Sequence, residues 1–78
     1  MFLEILTPER TVLETWVSKV SLPGAKGRFM VLRGHAPLIS SLDAGAVTYV
    51  SGGIDGKIVL SSGFVEINED RVTVCAEL

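Results

Sequence analysis

The fold is decided by residues 64–76, which read Phe-Val-Glu-Ile-Asn-Glu-Asp-Arg-Val-Thr-Val-Cys-Ala. In the second half of this stretch apolar side chains alternate with more polar ones, so that Val72, Val74 and Ala76 fall on one side of an extended chain. The first half is also rich in β-formers, and the polar triplet Asn68–Asp70 separates the two halves. The stretch therefore predicts an antiparallel hairpin with one face in a core.

Runs of the same kind recur along the chain and are separated at short intervals by glycine and proline. Asp55-Gly56 lies between two of these runs and has the residue types that accept a tight turn, so we expect a second hairpin there. No long helix fits between the glycines and prolines that follow Leu22. The predicted strands are Phe2–Thr7, Phe29–Leu32, Ala46–Val50, Lys57–Ser61, Phe64–Asn68 and Arg71–Ala76.

The segment from Thr7 to Leu22 fits two patterns. Thr7 can cap a helix that has Pro8 in its first turn, and apolar residues recur after it at helical spacing. The same segment crowds β-branched residues together and alternates acceptably from Trp16 to Leu22. Composition elsewhere favours strands, because a small antiparallel sheet closes its edges more readily with further strands than with one isolated helix.

The chain has 78 residues, which is room for one domain, spanning residues 1–78, with one modest core. Hydrophobic residues make up 47% and charged residues 21%, a composition typical of folded rather than disordered proteins. No apolar run is long enough to span a membrane, and an acid near the N-terminus is unlike a signal peptide. Cys75 is the only cysteine, which excludes an internal disulfide and a multi-cysteine zinc site and fits a reducing, cytoplasmic compartment.

The net charge of −2 is unevenly distributed. Residues 15–42 contain four bases and no acid, whereas residues 43–78 contain two bases and six acids. A basic segment in a small domain indicates either a partner of opposite sign or ordinary solvated strand faces and loops. Nucleic acid is disfavoured as a partner, because the clustered bases have only Phe29 beside them as a stacking group.

Signals of catalysis are few. His35 and Cys75 are the only histidine and cysteine, so the chain lacks the usual metal cluster and a Cys-His pair assembled from neighbours. A serine hydrolase built on His35 would need a deep pocket, which so small a domain rarely encloses. Residues 52–57 are similar to a phosphate-binding loop, but one residue is missing between the glycines and Ile58 replaces the magnesium-binding hydroxyl. We interpret these residues as a turn.

Three features keep two interpretations each. His35 lies between Gly34 and Pro37, where it either locks a corner through hydrogen bonds to backbone or contacts a partner, and the first is favoured. Trp16 fits both a partly buried core position and an interface anchor. Residues 24–28 are typical of a hairpin loop, although their two bases keep a role in binding a partner open.

Two coupled blocks carry a family resemblance that covers the chain from Met1 to about Glu77. The first block is Gly24–Ile39, which contains Gly-His-Ala-Pro-Leu, and the second is Ser62–Ile67, which reads Ser-Gly-Phe-Val-Glu-Ile. In order and spacing, these blocks, Gly45, Arg71–Val74 and the opening Leu3–Glu9 resemble the epsilon subunit of the rotary F-type ATP synthase. Either block alone is a weak signal, but the pair is specific.

The resemblance implies a flattened ten-stranded β-sandwich, in which residues 7–22 form strands. It also implies a mechanical, non-catalytic subunit at the foot of the central stalk. Such a subunit binds the gamma subunit, rests on the c-ring and couples proton-driven rotation to ATP synthesis. It would lie peripherally at the cytoplasmic face of the energy-transducing membrane, without inserting into the bilayer, holding a cofactor or binding nucleic acid.

The resemblance further implies two sets of contact residues. Those expected to meet the c-ring are Lys26, Gly27, Arg28 and Arg33. Those expected to lie towards gamma are Thr7 and the stretch from His35 to Ser40, including Pro37 and Leu38. Arg28 stands where many relatives have an acid and Arg33 where they often have proline, so we expect a compensating acid in the loop of this protein's c-ring.

Many members of the resembling family continue beyond the last strand into a two-helix hairpin, which can inhibit ATP hydrolysis and in some members binds ATP. This chain ends at Leu78, and some members are naturally short. We therefore take the chain as complete, and expect neither a C-terminal helical hairpin nor bound ATP.

Two other functions remain open on the residues alone. The first is a free-standing β-sandwich binding module whose basic loop recognises an acidic protein or lipid surface; co-purification with gamma separates it from the stalk subunit. The second is a small hydrolase that uses His35. It predicts loss of activity in His35→Ala, whereas the stalk interpretation predicts at most weakened assembly.

Overall fold

The computed structural model describes all 78 residues and contains nine strands and no helix. Every run predicted from the sequence overlaps one of these strands, although β5 corresponds to no predicted run. No element is a helix long and apolar enough to cross a membrane. The strands are β1 (Phe2–Leu6), β2 (Thr11–Trp16), β3 (Lys19–Leu22), β4 (Phe29–Leu32), β5 (Leu38–Leu42), β6 (Gly45–Ser51), β7 (Ile54–Leu60), β8 (Ser62–Asn68) and β9 (Arg71–Glu77).

The strands form two sheets. Sheet A has the order β2-β1-β9-β8-β5, and sheet B has the order β4-β3-β6-β7. All neighbouring strands pair antiparallel except β1 and β9, which run parallel. The predicted all-β sandwich is therefore confirmed.

The predicted count of ten strands is wrong by one. Outside the nine strands, the only pairing is an isolated bridge between Gly24 and Leu42. Pro23 precedes this bridge and has no backbone N–H to donate to a ladder. The chain then turns at Gly27, whose φ of 122° is favoured by glycine. The pairing at Gly24 therefore stays too short to form a strand.

The segment that fitted two patterns forms strands, as the composition and the resemblance predicted. The Thr7 N–H donates to the Arg10 carbonyl (2.9 Å), which closes a turn around Pro8 instead of starting a helix. Beyond this turn, β2 pairs with β1 in sheet A and β3 pairs with β4 and β6 in sheet B. The chain crosses between the sheets at Val17, whose N–H donates to the Met1 carbonyl (2.8 Å).

The second hairpin forms, but its turn is not at Asp55-Gly56. The turn is at Gly52-Gly53, where both φ angles are positive, 57° and 78°, and β7 already starts at Ile54. Gly56 lies inside β7 opposite Tyr49, and a Cβ atom at Gly56 would overlap the Tyr49 ring. Glycine is therefore needed at Gly56 for close packing and not for a turn.

The core lies between the two sheets. In β9 the predicted alternation is confirmed, because Val72, Val74 and Ala76 are buried while Arg71 is exposed. Full burial of a Val or Leu side chain contributes about 1.5–3 kcal/mol, so these inward rows supply most of the driving force for folding. No polar or charged side chain is buried, and the one charge at a buried residue is the N-terminal ammonium of Met1, which pairs with Asp70 (3.3 Å). The core residues are Met1, Leu3, Ile5, Val17, Val20, Leu22, Val31, Leu42, Val47, Leu60, Val65, Ile67, Val72, Val74 and Ala76.

Candidate functional site

One end of the sandwich, called end I here, holds the β1–β2 turn at 7–10 and the β3–β4 loop at 23–28. Gly24 of this loop bridges Leu42 at the end of β5, and Leu42 pairs with Gly63 near the start of β8. The two sheets are thus joined at end I by the 23–28 loop.

The opposite end, called end II, holds the β4–β5 loop at 33–37 and the turns at 52–53 and 69–70. Here the Ser51 hydroxyl donates to the Trp16 carbonyl (2.7 Å), which links β6 of sheet B to β2 of sheet A. Strand β8 runs from end I to end II, and a strand of its length spans about 20 Å. Groups at the two ends therefore face different neighbours in any assembly.

The residues expected to meet the c-ring are divided between the two ends. Lys26, Gly27 and Arg28 lie in the 23–28 loop at end I, and all three are exposed. Arg33 follows β4 and lies at end II, so the structure does not bring it to the other three. The separation arises because β4 carries the chain from one end of sheet B to the other.

Arg28 does not extend freely from its loop. Its Nε donates to the Ser21 hydroxyl (2.9 Å), and its Nη2 donates to the Ala46 carbonyl (2.5 Å). Because these partners belong to β3 and β6, the guanidinium lies across the outward side of sheet B. This leaves Lys26 as the cation of the loop that is free to meet a partner.

The outward side of sheet B, called outer face B, is basic. Lys19 and Lys57 line an open groove of about 530 Å³, together with the hydroxyl residues Ser21 and Thr48. Asp55 also lines the groove, but it forms no ion pair with either lysine. With Arg28 lying across the same side, outer face B presents three cations and one acid to solvent.

The residues expected to lie towards gamma are also divided. Thr7 closes the turn at end I. His35 and Pro37 are exposed in the loop at end II, where Leu38 starts β5, and Ser40 lies midway along that strand. Because β5 is an edge strand of sheet A, the stretch from His35 to Ser40 forms one continuous rim, which the structure does not extend to Thr7.

No catalytic arrangement surrounds the single histidine. His35 Nδ1 lies 2.6 Å from the Ala36 carbonyl, and the His35 N–H donates to the Leu32 carbonyl (3.1 Å). Both contacts are to backbone, as the corner-locking interpretation predicts, and the exposed imidazole stays accessible to a partner. No group of three or more His, Cys, Asp or Glu side chains is placed to hold a metal ion.

The most exposed aromatic side chain belongs to Trp16, for which the sequence kept two interpretations. Trp16 is 68% exposed at the end of β2, an edge strand of sheet A. Its ring packs edge-on against Phe2, with ring centres 5.2 Å apart and planes at 68°. The structure therefore places Trp16 outside the core.

The Phe2 ring that packs against Trp16 has contacts of its own on the same side of the sheet. The Arg71 guanidinium lies 5.1 Å from the centre of the Phe2 ring, and its Nη2 lies 2.9 Å from Glu4 Oε1. Register places all four residues on the outward side of sheet A, called outer face A, because the core residues alternate with them. Outer face A thus carries an ordered stack of two aromatic rings, a cation and an acid.

A signal for this arrangement was present in the sequence. Glu14 precedes Trp16 by two residues, so a strand that turns Glu14 to solvent turns Trp16 to the same side. What could not be read from the sequence is the register that places Phe2 opposite Trp16. Without that register, the pattern did not separate a core tryptophan from an exposed one.

Comparison with known families gives one match over the full length of the chain. The family described as "ATP synthase, Delta/Epsilon chain, beta-sandwich domain" matches residues 1–78.

Curated relatives agree with this match. The ATP synthase epsilon chain of Nitratidesulfovibrio vulgaris (strain Miyazaki F) is 43% identical over 77 residues, which cover 99% of this chain and 58% of the relative. The ATP synthase epsilon chain of Carboxydothermus hydrogenoformans is 46% identical over 74 residues, covering 95% of this chain and 55% of the relative. The chain thus spans rather more than half the length of these relatives.

Solved structures show the same fold. A chain in the cryo-EM structure of the central stalk and c-ring of the Tetrahymena thermophila mitochondrial ATP synthase has a TM-score of 0.84 at 12% identity. The match covers 100% of this chain and 63% of that one. A chain of the Euglena gracilis mitochondrial ATP synthase, in a structure of OSCP, F1 and c-ring, has a TM-score of 0.88 at 23% identity. Here the match covers 95% of this chain and 48% of that one.

Proposed function

The chain belongs to the ATP synthase delta/epsilon β-sandwich family, and on that premise we propose that it is a non-catalytic subunit of the central stalk. In this role it links the gamma subunit to the c-ring and couples rotation to ATP synthesis. The observation that carries the proposal is the full-length family match, together with 43% identity to a relative named as an ATP synthase epsilon chain. The subunit works peripherally at the cytoplasmic face of the energy-transducing membrane.

End I is the side that we assign to the c-ring. The exposed loop of Lys26 and Gly27 lies there, and Arg28 extends its positive charge over outer face B. Acids in the loops of the c-ring would complement this charge, and bases there would oppose it. Arg33 lies at end II and is therefore left out of the proposed ring contact.

End II and the rim of β5 are the side that we assign to gamma. With end I on the ring, end II and the β5 rim stay available to gamma. His35, Pro37, Leu38 and Ser40 follow one another along this rim. Thr7, at end I, is not included in the proposed gamma contact.

The proposal is tested in the reconstituted synthase with Lys26→Glu. Lys26 makes no side-chain hydrogen bond or ion pair, so the variant reverses a charge without disturbing the fold. We expect ATP hydrolysis that no longer drives full proton pumping, because the repelled subunit grips the ring less well. Lys57→Glu on outer face B is the control with the same charge change, and it should pump as the unmodified protein does.

Pumping that is unchanged in Lys26→Glu would contradict the assignment of the loop to the ring. A purified complex in which this chain does not accompany gamma would contradict the stalk function as a whole. The second result would favour a free-standing binding module that recognises acidic surfaces through the same bases.

A further inference from the structure

We propose that Trp16 and Glu14 form the anchor by which this chain binds gamma, and that the anchor takes up a lysine or arginine side chain of that partner. This inference rests on the proposed stalk function, to which it adds the binding surface and the chemistry that it recognises.

Most of Trp16 is exposed to solvent. A tryptophan side chain buries 150–250 Å² when it is covered, so leaving 68% of Trp16 exposed forgoes a large apolar gain in the isolated chain. Tryptophan is also the residue type most enriched among the side chains that dominate protein interfaces. A partner that covers Trp16 recovers this apolar area.

Neighbouring side chains on outer face A support Trp16 before a partner binds. Phe2 supports the Trp16 ring from one side at 5.2 Å, and Arg71 in turn lies over Phe2 at 5.1 Å. Arg71 is held by Glu4 at 2.9 Å. Because Phe2 already supports one side of the ring, a partner loses less conformational freedom when it docks than it would on an unsupported side chain.

The charges beside Trp16 indicate the chemistry of the partner. Glu4 and Glu14 are directly opposite each other across β1 and β2, an arrangement in which like charges repel. Arg71 compensates Glu4, but Glu14 has no ion-pair partner. A carboxylate beside an exposed indole suits a Lys or Arg side chain, because the cation can pair with Glu14 while it lies over Trp16.

Trp16 lies at the end of the sandwich opposite to the proposed ring contact. Trp16 lies at end II, where its carbonyl accepts the hydrogen bond from Ser51, and the loop assigned to the c-ring lies at end I. Trp16 thus lies at the end away from the proposed ring contact and on the edge strand of sheet A opposite to β5, so the anchor extends the proposed gamma contact from the β5 rim across end II to outer face A. The acids beside it also disfavour an anionic lipid surface as the occupant.

The experiment uses the intrinsic fluorescence of the chain, because Trp16 is its only tryptophan. Purified gamma is titrated into the chain, and the emission of the same mixture with Trp16→Phe is subtracted to remove the signal of gamma. We expect the emission of Trp16 to shift to shorter wavelength as gamma covers the ring. The titration also gives the affinity.

Variants then separate the roles of the two residues. Trp16→Ala should weaken the affinity for gamma about 30-fold, the loss typical of a central interface residue. Glu14→Gln should weaken it about threefold, with a difference that shrinks as salt is added. The matched controls are Val59→Ala, which is 60% exposed on outer face B, and Asp43→Asn at end I, and both should bind gamma with unchanged affinity.

The results distinguish failure of the Trp16 anchor from failure of the proposed stalk function. If gamma binds all variants equally and the emission of Trp16 does not shift, the anchor is wrong while the stalk function stands. If gamma does not bind even the unmodified chain, the stalk function fails and the anchor with it. Circular dichroism of Trp16→Ala and Glu14→Gln establishes that a loss of affinity is not a loss of fold.

Discussion

The two outer faces of the sandwich share one core but differ in chemistry. Outer face A carries acids that include Glu4, Glu14 and Glu66, and its cation Arg71 is paired. Outer face B carries Lys19 and Lys57, neither of which forms an ion pair, and the clamped Arg28. The outward positions of a small sandwich can therefore differ in charge from one face to the other without changing the core, since packing constrains only the alternate, inward positions.

The contrast between outer faces and core would be lost if outward residues determined folding as strongly as inward ones. Leu3 is fully buried in β1, whereas Ile39 is 72% exposed on β5. We expect Leu3→Ala to lower the free energy of unfolding by about 3 kcal/mol, because it leaves a cavity in the core. Ile39→Ala should change it by less than about 0.5 kcal/mol.

Urea unfolding followed by circular dichroism measures both values. A loss in Ile39→Ala comparable to that in Leu3→Ala would mean that the outer faces are part of the folding core. The chemistry of the two outer faces would then not be independent of the stability of the fold.

The next largest change in unfolding free energy is expected when Arg28 loses its hydrogen bonds to Ser21 and Ala46 on outer face B. Arg28→Lys keeps the charge but loses the hydrogen bonds to Ser21 and Ala46, so it should cost about 1 kcal/mol of unfolding free energy. Lys57→Arg is the reverse exchange on the same face and should be nearly neutral, since Lys57 makes no such bonds. Equal stability of the two variants would show that the guanidinium of Arg28 is not clamped in solution.

The smallest effect is expected for the ion pair on outer face A. The Arg71 side chain is 53% exposed and that of Glu4 is 18% exposed, so solvent screens their attraction. A double-mutant cycle with Arg71→Gln and Glu4→Gln should give a coupling of about 0.5 kcal/mol that decreases in high salt. A coupling that does not respond to salt would indicate that the pair acts through packing on Phe2 and not through charge.

Much of the fold could be predicted from local pattern. The alternation in β9 correctly placed Val72 and Val74 in the core, because a half-buried strand imposes a period of two. The turn of the second hairpin was assigned wrongly, because glycines occur both at 52–53 and at position 56. What separates them is the Tyr49 ring, which needs the space above Gly56, and this is a tertiary contact that no local pattern contains.

The candidate site was less predictable than the fold. Arg28 and Arg33 are five positions apart in the sequence, yet β4 lies between them and carries them to opposite ends of sheet B. The resemblance grouped the two bases in one ring contact, whereas the structure separates them, and a ring contact of Arg33 stays a prediction. The stack of Phe2 and Trp16 joins two strands and depends on their register, which residue types alone do not determine.

The parallel pairing of β1 with β9 has a mechanical consequence. Both strands run from end II to end I, so a tension that draws the start of β1 away from the end of β9 slides one strand along the other. In that direction the hydrogen bonds of the pair are loaded together and not one after another. The centre of sheet A thus resists extension along its strands far better than a hairpin that can be peeled apart from its open end.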